Sequence, residues 1–196
     1  AAGLRDATDR WITSTELPSV LVETSVEMHD RNGALLRVYP VENGRTRMAL
    51  RVGDVDPAFI RMLIAYEDKR FYDHSGVDLR AGLRAAVQAL KHGGVVSGGS
   101  TLTMQVARLL ENSGTGRWQG KLRQIRLALA LERVLTKDEI LTLYLAHAPY
   151  GGAVEGLRAG TLAWFDKEPG RLTLAEAALL IALPQAPETR RPDRHP

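Results

Sequence analysis

The chain has 196 residues, of which 44% are hydrophobic and 25% charged, and its formal net charge is +3. That is long enough for one domain with a sizeable apolar core, and the charge is a weak bias toward anionic partners that selects none of them. The absence of cysteine excludes disulfides, zinc–thiolate sites and a thiol nucleophile.

No stretch reaches the apolar length needed to span a bilayer, and the N-terminus lacks a signal-peptide pattern. The abrupt start at Ala1-Ala2-Gly3 and the end in residues 190–196 read as a piece of a larger protein. From Val20 to Leu50 the pattern is one of short extended runs around turns. Asn32-Gly33 between apolar runs predicts a hairpin. A second Asn-Gly, at residues 43–44, precedes Arg47 to Arg51 and suggests a small sheet of about three strands.

The character changes near residue 54, and the rest reads as helical. Asp56-Pro57 opens a helix with proline where its missing N–H does no harm. Its stripe of Ile60, Leu63 and Ile64 continues to Glu67 and Phe71. A second helix is predicted over 78–91, ending at His92-Gly93-Gly94. Ser97-Gly98-Gly99-Ser100 leads into a helix over 101–110, a loop over 112–116 and a long helix over 121–135. Thr136 and Glu139 have capping-box spacing for a helix through Leu145, which Pro149-Tyr150-Gly151-Gly152 breaks. Helices over 154–163 and 173–183 complete the chain, the latter with Thr173 and Glu176 at capping-box spacing. There is no internal repeat, heptad series or low-complexity tract.

Three segments could carry chemistry. A carboxylate at Glu67, at the end of an apolar stripe, is costly unless it is paired or its basicity is used. It reads either as a general base at a cleft edge or as an ordinary ion-pairing residue. Gly98-Gly99-Ser100-Thr101 feeds a helix N-terminus and could hold phosphate oxygens, with Gln105 and Arg108 on the same helical face as Thr101. It lacks the Gly-Lys-Ser/Thr ending of a nucleotide loop, and the alternative is a capped turn before a solvated helix. Arg117, Lys121, Arg123, Arg126 and Arg133 form a basic stretch. It reads as a solvated face, or as suited to an anionic membrane, and is too sparse for duplex binding.

The tryptophans, Trp11, Trp118 and Trp164, read as core or membrane-interface anchors, and the apolar residues over 79–90 as core or lipid contacts. The histidines lack ligand spacing. No Ser-x-x-Lys is present, so β-lactam acylation is not expected of this segment.

Taken together, these segments resemble the peptidoglycan glycosyltransferase domains of bifunctional penicillin-binding proteins, in particular the one-C class. The first family motif matches Glu67-Asp68-Lys69-Arg70-Phe71-Tyr72-Asp73-His74-Ser75-Gly76-Val77-Asp78. The second matches Gly98-Gly99-Ser100-Thr101 through Gln105 to Arg108. The fourth resembles 137–145 followed by 149–152, and the last resembles 172–180 followed by Leu183-Pro184-Gln185-Ala186-Pro187.

The resemblance implies a mainly α, lysozyme-like fold with two lobes around a cleft and a small β-rich N-terminal segment. It divides the chain into a linker and β-rich segment over 1–53 and a glycosyltransferase domain over 54–196. It implies lipid II as substrate, undecaprenyl diphosphate as leaving group, and Glu67 as the general base of an inverting transfer to a β-1,4 bond. Arg108 and Lys121 would surround the diphosphate, and Ser100, Thr101 and Gln105 would position the donor. Asp68, Phe71, His74 and Gly99 would shape the cleft.

The third family motif, Arg-Lys-x-x-Glu, aligns with Gly120-Lys121-Leu122-Arg123-Gln124, so one cation and one carboxylate are missing. Gln124 cannot carry charge, which weakens any Mg2+ or Mn2+ requirement. The Asn that commonly follows Tyr-Leu is Ala146, and both departures resemble the one-C class itself. Further implied are the nascent glycan strand and the membrane surface as partners, and a C-terminal transpeptidase domain in the parent chain. The place of action would be the outer, periplasmic face of the cytoplasmic membrane, and no nucleic acid is expected. The rival reading is a poorly active lipid II- or glycan-binding scaffold module. A glycan hydrolase suits the Gly-Gly-Ser-Thr element less well, because it has no diphosphate leaving group.

Overall fold

The computed structural model describes residues 2–92, 99–111 and 118–194. Eight α-helices are described: α1 (Ala2–Thr13), α2 (Pro57–Glu67), α3 (Leu79–His92), α4 (Leu102–Glu111), α5 (Trp118–Val134), α6 (Lys137–His147), α7 (Leu157–Phe165) and α8 (Leu174–Ala182). Four short strands accompany them: β1 (Val26–His29), β2 (Leu35–Tyr39), β3 (Thr46–Arg47) and β4 (Val154–Glu155). The architecture is mainly helical with a small β-rich N-terminal segment, as the resemblance implies for a lysozyme-like glycosyltransferase fold.

Contacts divide the chain into two compact units. One joins Ala1–Val20 to Glu67–Leu141, the other Leu21–Tyr66 to Thr142–Pro196. In the first unit α4 and α5 pack together around Leu102, Met104, Val106, Leu127 and Leu131, all essentially inaccessible. Because Leu102, Thr103, Met104, Val106 and Ala107 are all buried, α4 is a core helix and not the solvated one its polar residues allow.

Helix α1, absent from the sequence reading, lies along α5. Arg126 donates to the Trp11 carbonyl (2.8 Å) and the Ser14 hydroxyl (2.9 Å), and its guanidinium covers the Trp11 ring. Arg133 pairs with Asp9. Among its described residues the basic stretch is thus largely engaged within the chain: Arg123 pairs with Glu111, while Lys121 turns to the site described below. Arg117, the side chain of Trp118, the loop 112–116 and the stop at Gly93-Gly94 lie outside the described residues.

In the second unit the Asn32-Gly33 hairpin forms as predicted. Asp30 accepts from the N–H groups of Asn32 and Ala34 (both 2.8 Å), and β1 pairs with β2 antiparallel. The third strand does not join it. Thr46–Arg47 instead pairs in parallel with Val154–Glu155, where a helix was expected. That helix, α7, begins only after Gly156, whose φ of 87° no ordinary residue adopts easily. Buried Arg47 crosses this pairing to reach Glu155 (3.0 Å) and the Glu23 carbonyl (2.9 Å).

Helix α2 starts at Pro57 as predicted, with Asp56 accepting from Ala58 N–H (2.8 Å), and ends at Glu67, so Phe71 lies beyond it in a single 3-10 turn. The Tyr150 ring packs so closely on Gly160 that a Cβ there would come within 2.7 Å. Trp164, half-buried, donates to the Tyr150 carbonyl (3.1 Å). Both predicted capping boxes are present, at Thr136/Glu139 and at Thr173/Glu176.

Candidate active site

The first and second motif segments meet inside the first unit, and a few polar groups join them. Glu67, half-buried at the end of α2, accepts from the Gln105 side-chain amide (2.9 Å). Asp68 is buried. One of its oxygens accepts the Leu102 N–H (2.9 Å), an otherwise unpaired donor at the start of α4, and the His74 Nε2 lies 3.0 Å from both.

Thr101 completes the junction. Its hydroxyl donates to the Gly76 carbonyl (2.5 Å) and accepts from Met104 N–H (3.1 Å), so it caps α4 while tethering the 68–78 loop. At Gly76 (φ 89°) an added Cβ would lie 2.7 Å from the Ala128 carbonyl oxygen of α5. The loop therefore runs against α5 with no room for a side chain.

At its far end Arg70 grips Asp78 through two donors, one of them at 2.9 Å, while Asp78 also accepts from Ala81 N–H (2.9 Å) at the start of α3. The Arg70 guanidinium holds the Asp78 carboxyl down from its ordinary 3.8 to about 2. A depressed carboxyl stabilises the fold fully above its unfolded value and loses that contribution as pH falls through the folded one. The thermal-stability gap between wild type and Asp78→Asn should therefore be widest at pH 5 and close between about pH 4 and pH 2. A gap independent of pH in a thermal-melt series would contradict this.

The cationic side of the site is built by α4 and α5. Lys121 donates to the Ser100 hydroxyl (2.5 Å). Burial and then the neighbouring positive charge of Arg108 pull the Lys121 pKa below its usual value. Like charges repel each other, and a bound anion would relieve that. Gln124, one turn from Lys121 on α5, is buried. A Cβ added at Gly99 would meet Gly82 and Ala85 of α3 at ordinary contact distance, and Phe71, within the loop, is fully buried.

Every residue singled out from the sequence thus falls in one unit: Glu67, Asp68, Phe71, His74, Gly99, Ser100, Thr101, Gln105, Arg108, Lys121 and Gln124. Direct bonds link Glu67 to Gln105, Asp68 to His74 and Lys121 to Ser100. Thr101 turns inward to the loop. Three residues without a role in the sequence reading join from behind. Thr103 and Lys137 both donate to Glu132 (2.7 and 2.6 Å), and Lys137 also donates to the His74 carbonyl (2.6 Å). The signal that could have found Lys137 is its position, a cation in the first turn of a helix.

Comparison with known proteins gives the family. The model of the transglycosylase family matches residues 32–196, and the chain belongs to that family. Its relatives are penicillin-binding proteins. It is 47% identical over 166 residues to penicillin-binding protein 1C of Escherichia coli K12, covering 85% of this chain and 21% of that protein. It is 36% identical over 176 residues to penicillin-binding protein 1A of Pseudomonas aeruginosa, and 34% identical over 177 residues to penicillin-binding protein 1F of Bacillus subtilis. Those matches cover 90% of this chain in each case and 21% and 24% of the relatives. The chain therefore spans about a fifth to a quarter of the length of these relatives.

Proposed function

We propose that the chain is a peptidoglycan glycosyltransferase that polymerises lipid II into β-1,4 glycan strands, with residues 54–196 as the catalytic domain and Glu67 as general base. The observation that carries the reading is that one unit holds both a half-buried carboxylate, which accepts from Gln105, and a lysine, Lys121, which donates to Ser100 at the start of the second motif helix. In the proposed step the acceptor sugar's 4-hydroxyl attacks the donor's anomeric carbon and its proton passes to Glu67. The bond from that carbon to the diphosphate oxygen breaks with inversion. Undecaprenyl diphosphate leaves, its growing negative charge met by Lys121 and Arg108. Ser100, fixed by Lys121, and the start of α4 position the donor.

A divalent ion does not fit these residues. At the third motif the donor set is the neutral amide of Gln124 beside two cations, and hard divalent ions need anionic oxygen. Among the described residues no three His, Asp or Glu converge to hold a metal. Chain formation is therefore expected to continue in excess EDTA. A rate that collapses in chelator and returns with added Mg2+ would refute this.

Among the described residues no helix is long and apolar enough to cross a membrane. Helix α3 exposes Leu79, Leu83 and Val87 along one stripe, with Arg80 and Arg84 nearby. We assign this stripe to the membrane surface, on the periplasmic side of the cytoplasmic membrane, in a parent chain that carries a transpeptidase domain.

The test is incubation with lipid II in detergent or liposomes, with products separated by chain length. Glycan ladders are expected. Retained lipid II binding with no ladder under any condition would overturn the enzyme and favour a scaffold module of wall assembly.

A further inference from the structure

We propose that Lys137 is a positioning residue for this reaction: it holds the 68–76 loop from behind and so sets the geometry of the site. The inference rests on the glycosyl-transfer reading above. Its starting point is a misfit. Lys137 is the first residue of α6, where the helix dipole disfavours a cation and where this helix otherwise places Asp138 and Glu139. A residue that breaks a local rule without local gain points to a role elsewhere.

The Lys137 ammonium has three donors, and two of them are used in hydrogen bonds within the chain. It donates to the His74 carbonyl (2.6 Å) and to Glu132 (2.6 Å), and it sits 4.6 Å from the centre of the buried Phe71 ring, in cation–π range. The same Glu132 oxygen accepts from Thr103 in α4 (2.7 Å). One side chain of α6 thereby fastens the loop at two points, Phe71 and His74, to α5 and α4.

From there an unbroken set of contacts leads to the proposed base. The His74 ring meets the Asp68 carboxylate, Asp68 accepts from Leu102 N–H at the start of α4, and Gln105, one turn along α4, donates to Glu67. Lys137 touches no reacting atom in this arrangement. Loosening the loop moves Asp68 against α4, and displacements well under a bond length at a base are enough to slow transfer.

A simple stability role makes a different forecast, and a pair of variants separates the two. Lys137→Met leaves Glu132, with 7% of its side chain exposed, as an uncompensated buried charge, which destabilises any fold. Adding Glu132→Gln removes that charge while keeping an acceptor for Thr103. We expect the double variant to recover most of the lost thermal stability, yet to keep a kcat roughly 10- to 100-fold below wild type with KM little changed. Amide hydrogen exchange at Phe71 and Leu102, whose N–H groups bond to Asp68, should be faster than in wild type at matched stability.

Recovery of kcat along with stability, or wild-type exchange at both amides in the double variant, would overturn the positioning role. If the wild-type protein forms no glycan, it is the glycosyl-transfer reading that fails, while the exchange measurement still decides whether Lys137 holds the loop.

Discussion

Glu67→Gln is expected to lower the rate of glycan chain formation by about 10²–10⁴-fold, the usual contribution of a positioned general base, with little change in thermal stability. Glutamine has the same shape and keeps an oxygen to accept from Gln105, which donates to Glu67 at 2.9 Å. What it loses is the ability to take the proton from the attacking hydroxyl. Lipid II binding should survive, because the cations assigned to the diphosphate, Lys121 and Arg108, lie on other helices. The check is a product ladder beside a binding measurement on the same preparations. A variant that still builds chains at close to the wild-type rate would remove Glu67 from the mechanism.

Gly76→Ala should be the most damaging glycine-to-alanine change among the described glycines of the first unit. The residue has φ 89°, and an ideal Cβ would fall 2.7 Å from the Ala128 carbonyl oxygen and 2.9 Å from its carbon. Both are backbone atoms of the buried residue Ala128 within a helix and cannot rotate away. Strain in that region of backbone space and the forced movement of the loop together suggest a loss of about 2–4 kcal/mol.

The loss should extend to activity, because the Gly76 carbonyl is the acceptor for Thr101. Gly82→Ala is the natural control. It lies within α3, its Cβ would meet nothing within 4 Å, and alanine favours a helix by roughly 0.8–1 kcal/mol over glycine. Denaturant titrations of the two variants should move in opposite directions, and equal effects would show that the close approach to Ala128 does not matter.

The contrast between these glycines shows what the sequence could reveal. The Asn32-Gly33 turn, the two capping boxes and the start of α2 at Pro57 are local signals written within a few residues, and each corresponds to an element found in the structure. What escaped was non-local. Helix α1 is held by Arg126 and Arg133, more than a hundred residues away, and its own pattern contains nothing as strong. The two-residue strand Thr46–Arg47 has no local partner and pairs with Val154–Glu155, so the nearby Asn-Gly turn suggested the wrong sheet.

At the site, the residue types were legible from the motifs while their partners were not. Nothing in the spacing of Thr101 shows that its hydroxyl turns back to Gly76, or that Gln105 donates to Glu67. Lys137 was visible only as part of a motif, since its contacts with Phe71, His74 and Glu132 come from three separate stretches of chain.

The bonds that join the two motif segments also bear on recombination between relatives. Asp68 reaches the Leu102 amide and Thr101 reaches the Gly76 carbonyl, so the stretches 67–78 and 101–105 are bonded into one block despite the helix between them. A crossover placed inside α3 would combine a loop from one parent with a helix start from the other, and the two side chains would have to meet backbone groups set by a different parent. Crossovers upstream of α2 or downstream of α6 keep the block whole, and those are the places where chimaeras of this family can exchange flanking segments without disturbing it.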